Sequence, residues 1–256
     1  MLKSDIKSIY SWGWAFAFAC PVLFSIPVLV EFAQHVVEMQ GGMYTSPKGA
    51  TAFADDPLRM QFGFAKVLAL LLPGYWLTRF ALFGNDAAAA RRVEWPAVGL
   101  WSVIFMLGAG QAYWGLFGSP WSQLLGITDD TVAGAMNASA SLVGSVLGIY
   151  LMAWGVAWAV GNASIGPLQS IRVMHGSFWR TVVLIIAGTL PLMAVHYALG
   201  YAAIHFGASA FDWTLMAVDS IVTGFLALTM AASSVAAVRH AAERAGLSLL
   251  PNGRAV

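Results

Sequence analysis

The feature that most constrains this chain is the recurrence of apolar stretches long enough to cross a lipid bilayer. A helix needs about 20 predominantly apolar residues to span the hydrocarbon core. Six such stretches are read, at about Tyr10–Ala33, Gln61–Phe83, Trp95–Phe117, Ser139–Val160, Thr181–His205 and Phe211–Val235. Backbone polar groups in lipid must be satisfied within the segment, so the stretches are read as helices. The expectation is an all-α polytopic bundle of about six spans, with residues 1–256 forming a single integral membrane domain.

Composition agrees. Hydrophobic residues make up 59% of the chain and charged residues 10%, too few charges to cover a water-facing surface. A net charge of +1 gives no nucleic-acid footprint. The single cysteine, Cys20, has no partner in the chain for a disulfide. It follows Ala17-Phe18-Ala19, a faint lipoprotein-like box, but the apolar run continues through Val30 and reads as an uncleaved first helix. Trp95, Trp121, Trp179 and Trp213 fall near span ends and suit an interfacial aromatic belt.

Orientation follows from the basic residues. Lys3, Lys7, Arg91, Arg92, Arg172, Arg180, Arg239, Arg244 and Arg254 fall on one side of the six spans, and only Lys48 and Arg59 on the other. The positive-inside rule puts the first group, and both termini, in the cytoplasm. The expected location is a bacterial inner (cytoplasmic) membrane. Pro21, Pro27, Pro73 and Pro191 fall inside spans, where each removes a backbone donor and kinks its helix. Gly108 with Ala112, and Gly144 with Gly148, suit close helix–helix contact inside the bundle.

Ionisable side chains within spans are the default place to look for function. Counting helical rise puts Asp219 about 12 Å, and Lys66 and His196 about 8 Å, below the outer surface. Gln111 counts to a similar depth, and Glu31 sits at the outer edge of the first span. Glu31, Lys66, Gln111, His196 and Asp219 are therefore the candidate polar pocket. The competing reading is interfacial: a long side chain such as Lys66 snorkels to water. Asp219 is too short to do so. Glu31 and His35, four residues apart, share a helix face, but one such pair carries no metal assignment. No cofactor is called for, and neither a nucleophile elbow nor a phosphate-binding glycine loop occurs. Asp129-Asp130 reads as a solvated acidic turn. Arg172 and Arg180 flank a short amphipathic connection and are candidate lipid-phosphate contacts.

That connection continues as Gly176-Ser177-Phe178-Trp179-Arg180 entering a long span. From Gly161 onward it resembles uncharacterised bacterial six-helix inner-membrane proteins. It is also similar to the membrane domain fused to some glycerophosphodiester phosphodiesterases. The resemblance implies a stand-alone membrane module. It carries over no catalytic residue, because the phosphodiesterase chemistry resides in a soluble domain that has no counterpart here. The first functional expectation is a non-enzymatic envelope module that binds lipid, a membrane-protein partner or a second copy, without nucleic acid. The alternatives are a small-solute or ion transporter using the outer pocket, and a membrane enzyme acting on lipid.

Overall fold

The computed structural model describes residues 2–206 and 210–251. Among them every regular element is a helix. They are α1 (Leu2–Ala19), α2 (Pro21–Gln40), α3 (Pro47–Phe53), α4 (Pro57–Leu71), α5 (Pro73–Leu82), α6 (Ala87–Arg91), α7 (Trp95–Phe117), α8 (Trp121–Leu124), α9 (Asp130–Ala159), α10 (Pro167–Met174), α11 (Phe178–Phe206) and α12 (Ala210–Arg244). Six helical stretches are long and apolar enough to cross a membrane: Pro21–Gln40, Pro57–Leu82, Trp95–Phe117, Asp130–Ala159, Phe178–Phe206 and Ala210–Arg244.

The first span differs most from its expected bounds. The helix begins near Leu2 and runs past Ala33 to Gln40, interrupted only at Cys20 (φ −133°, ψ 57°). Pro21 is the cause, since a proline disfavours helical geometry in the residue before it. The hydrogen-bond ladder nearly survives: Cys20 N–H donates to Phe16 O at 2.8 Å, and Cys20 O accepts from Phe24 N–H at 3.0 Å. Pro73 in the second span acts differently: Leu72 keeps helical geometry (φ −58°, ψ −39°), and Pro57–Leu82 forms one apolar helical stretch. The fourth span starts nine residues earlier than expected, at Asp130 rather than Ser139. Its acidic turn has a structural role, because the Asp129 carboxylate caps the helix by accepting from Val132 N–H at 2.9 Å.

α12 is the hub. It packs against α11, α1, α2, α5, α9 and α10, and 72% of its most apolar stretch is buried. α7 is the opposite case, with 6% buried; its apolar side chains face outward, as a lipid-facing helix requires. Two close approaches involve α12. A Cβ on Gly188 would come within 2.1 Å of Ser233 Oγ, and one on Gly224 within 2.4 Å of a Val28 methyl carbon. Gly144 and Gly148, expected at a tight internal contact, have open space where a Cβ would stand. Sequence spacing finds small residues in a row but not which side of the helix has a neighbour.

The end of the bundle that holds both Leu2 and Arg244 is locked by a buried arginine. Arg79 is wholly buried; its Nε donates to Ala89 O at 3.0 Å and its Nη1 to Ala159 O at 3.3 Å. Its Nη2 lies 3.1 Å from Glu94 Oε1. The rings of Tyr75 and Phe83 each lie 5.3 Å from the guanidinium carbon. These contacts bind α5 to α6, to the end of α9 and to the start of α7.

Candidate functional site

The opposite end of the bundle, where α2 finishes and α4 and α12 begin, holds the ionisable cluster. Its spine is one face of α2. Glu31, Gln34, His35 and Glu38 follow the i, i+3, i+4, i+7 spacing that aligns side chains along a helix. All four are buried. A polar stripe on an apolar helix cannot face lipid, so it turns inward to α4, α11 and α12.

Each carboxylate of the cluster has a basic or imidazole partner. Lys66 Nζ donates to Glu31 Oε1 at 2.8 Å. Arg59 Nε donates to Glu38 Oε1 at 3.1 Å. Asp219, 1% exposed, sits between two histidines: His35 Nε2 lies 2.9 Å from its Oδ2, and His196 Nδ1 lies 2.8 Å from both of its oxygens. His35 Nδ1 in turn faces Glu38 Oε2 at 3.0 Å. The chain Glu38–His35–Asp219–His196 thus runs unbroken across α2, α12 and α11.

The polar turn after α2 folds back over this chain. Tyr44, buried, donates its hydroxyl to Glu38 Oε2 at 2.6 Å and lies 3.1 Å from His35 Nδ1. Burial and the neighbouring Glu38 carboxylate push the Tyr44 phenol well above its ordinary value, so it acts here as a neutral donor. Arg59 is steadied by the same segment, its Nη1 donating to Ala54 O at 2.7 Å.

These groups surround a cavity of about 470 Å³, lined by Glu31, His35, Glu38, Lys66, His196 and Asp219 together with Tyr197, Gly200 and Tyr201. Three buried carboxylates face two fixed cations, Lys66 and Arg59. His35 supplies the third positive charge, since each of its ring nitrogens faces a carboxylate oxygen and only an imidazolium donates from both. Two polar atoms of the α2 stripe, Glu31 Oε2 and Gln34 Oε1, are buried without a hydrogen-bond partner.

Of the five pocket residues expected from the sequence, the structure brings four together: Glu31, Lys66, His196 and Asp219. Gln111 is a correction. It is exposed on α7 and borders two other cavities, one beside Trp101 and Gly155 and one beside Trp114 and Ser141. Depth counting fixes height along the bundle and says nothing of direction around it. His35, Glu38, Tyr44 and Arg59 belong to the site and lay outside the expected set. The α2 spacing is the signal that points to Glu38; nothing local marks Tyr44. His196, far from Glu31 in sequence, is its neighbour in space.

The two candidate lipid-phosphate contacts separate. Arg172 on α10 is exposed, whereas Arg180 Nη2 donates to Asp5 Oδ2 at 2.6 Å and ties α11 to α1. No protein-family model, curated protein or solved structure matches the chain.

Proposed function

We propose that this chain is a membrane carrier that takes a small cation or cationic solute into the His–carboxylate cavity. The carrying observation is a space of about 470 Å³ ringed by three buried carboxylates, two histidines, Lys66 and Arg59. Burying ions in a lipid-embedded bundle is costly, and apolar residues would hold the helices together as well or better. The volume falls in the range of small-molecule sites.

The basic residues argue for both termini in the cytoplasm, so that the cavity lies toward the outer face of a bacterial inner membrane. Exposed Arg172 then sits at the inner leaflet, within reach of lipid phosphates. The earlier expectation of a non-enzymatic module binding lipid or a protein partner, like the resemblance to phosphodiesterase membrane domains, accounts for the spans but not for the cavity. It remains the alternative.

The test is charge movement in proteoliposomes on a solid-supported membrane, with sodium, methylammonium and zinc jumps, comparing wild type with Asp219→Asn. The carrier reading expects a transient current with at least one cation, abolished in the variant. Currents at the empty-liposome level for all three cations would end it and return the module reading.

A further inference from the structure

The carrier reading leaves the nature of the cation open, and the donor atoms narrow it. Glu31, His196 and Asp219 each present one ligand-type atom, and the three atoms lie within 4.8 Å of one another. They come from α2, α11 and α12, so three separate helices converge on one point. Oxygen and nitrogen ligands at about 2.1 Å in a tetrahedral zinc site stand roughly 3.4 Å apart. Side-chain adjustment of about an ångström therefore closes the set around an ion.

A second observation is independent of this convergence. Glu31 is wholly buried, lines the cavity, and uses only Oε1 for Lys66 and His35, at 2.8 and 3.4 Å. Its Oε2 is buried with no partner. A buried carboxylate oxygen left bare costs free energy on the order of 1–3 kcal/mol or more. A cation placed there removes that cost without breaking the Lys66 pair. His35 completes the arrangement from outside: its Nε2 holds Asp219 Oδ2 at 2.9 Å and its Nδ1 is itself held by Glu38 at 3.0 Å. Outer partners of this kind fix the orientation of a ligating group.

We propose that Glu31, His196 and Asp219 form a binding site for a divalent transition cation, oriented by His35, and that this is the cation the cavity takes. The imidazole decides against magnesium and calcium, which select all-oxygen surroundings. Glu31 and Asp219 supply the carboxylate ligands, and all three residues line the cavity. The proposal rests on the cation-carrier reading only for its transport consequence; the binding site stands or falls separately.

The experiment uses tag-free full-length protein in detergent, stripped with a chelator, with zinc, cobalt and magnesium as probes. Calorimetry is expected to give one zinc per chain and no saturable magnesium binding. Glu31→Gln and Asp219→Asn are expected to weaken zinc binding on the order of a hundred-fold, and His35→Gln on the order of ten-fold, as loss of an outer partner does. Because a variant can fail to fold, cobalt-loaded wild type is read as well. A visible spectrum of four- or five-coordinate cobalt supports the site, and that of the hexaaqua ion overturns it. Zinc binding unchanged in folded Glu31→Gln, or no tighter than magnesium in wild type, also overturns it. Bound zinc without any transient current sinks the carrier and keeps the site. A sodium or methylammonium current without zinc binding does the reverse.

Discussion

The two ends of this bundle bury charge in opposite ways. At the end holding Leu2 and Arg244, Arg79 is enclosed by two backbone carbonyls, one carboxylate and two aromatic rings. At the other end, three carboxylates, two histidines and two cations line an open space, and Glu31 Oε2 has no partner at all. The first arrangement uses a charge to join helix ends. The second leaves binding capacity unspent. Burial alone does not separate structural from functional ions; the presence of room beside them does.

The difference can be broken or sharpened by substitution, beginning with the largest expected effect. Arg79→Met removes the guanidinium, takes the donor from two buried carbonyls and leaves Glu94 its longer Arg92 contact at 4.0 Å, and is expected to cost about 3–5 kcal/mol. Equilibrium unfolding in mixed micelles with increasing SDS measures it; a loss under about 1 kcal/mol would erase the contrast. Glu31→Gln keeps the shape of the side chain. It removes the charge facing partly exposed Lys66 and should cost about 1–3 kcal/mol, less than Arg79→Met, while lowering the cation-driven current on the order of ten-fold or more. A stability loss as large as that of Arg79→Met would make the cavity as structural as the Arg79 lock.

Tyr44→Phe comes next. It deletes the hydroxyl that donates to Glu38 at 2.6 Å and should cost about 1 kcal/mol. The phenol is raised in the folded state from an ordinary value of 10.0. Its contribution is thus whole below that pH and declines as pH climbs above it, because the unfolded phenol then releases its proton first. A pH series of unfolding midpoints should show a steeper alkaline decline in wild type than in Tyr44→Phe; parallel curves would remove Tyr44 from the network. The smallest effect belongs to Asp5→Asn, which breaks the partly exposed pair with Arg180 and should cost about 0.5 kcal/mol. A loss comparable to that of Arg79→Met would show that this pair, too, is a lock.

Much of this layout is legible in the chain, for identifiable reasons. Hydropathy marks the spans because lipid imposes one rule on every residue of a crossing helix. The same rule makes Lys66, His196 and Asp219 stand out, and counting rise brings them with Glu31 into the outer part of the bilayer. Gln111 shared that depth and faces elsewhere, since rise carries no azimuth. Glu38 lay beyond the expected first span only because its end was set by hydropathy, at Ala33; the helical repeat of Glu31, Gln34 and His35 continues straight through it. Tyr44 and Arg59 escape any local reading. They arrive by a chain reversal through residues 41–56, and a reversal is specified by turn geometry rather than by periodicity.

The position of α12 has a consequence for biogenesis. The helix around which the others are arranged is the sixth apolar span to leave the ribosome. Four of the preceding five enter the bilayer before this shared partner exists, and Asp219 is the last of the three cavity carboxylates to be made. Until it docks, His35 and His196 have no shared acceptor, and the α2 stripe is covered in part by its pairs with Arg59 and Lys66 of α4. Quality control that recognises exposed intramembrane charge therefore has a defined interval in which to act, and α12 closes it.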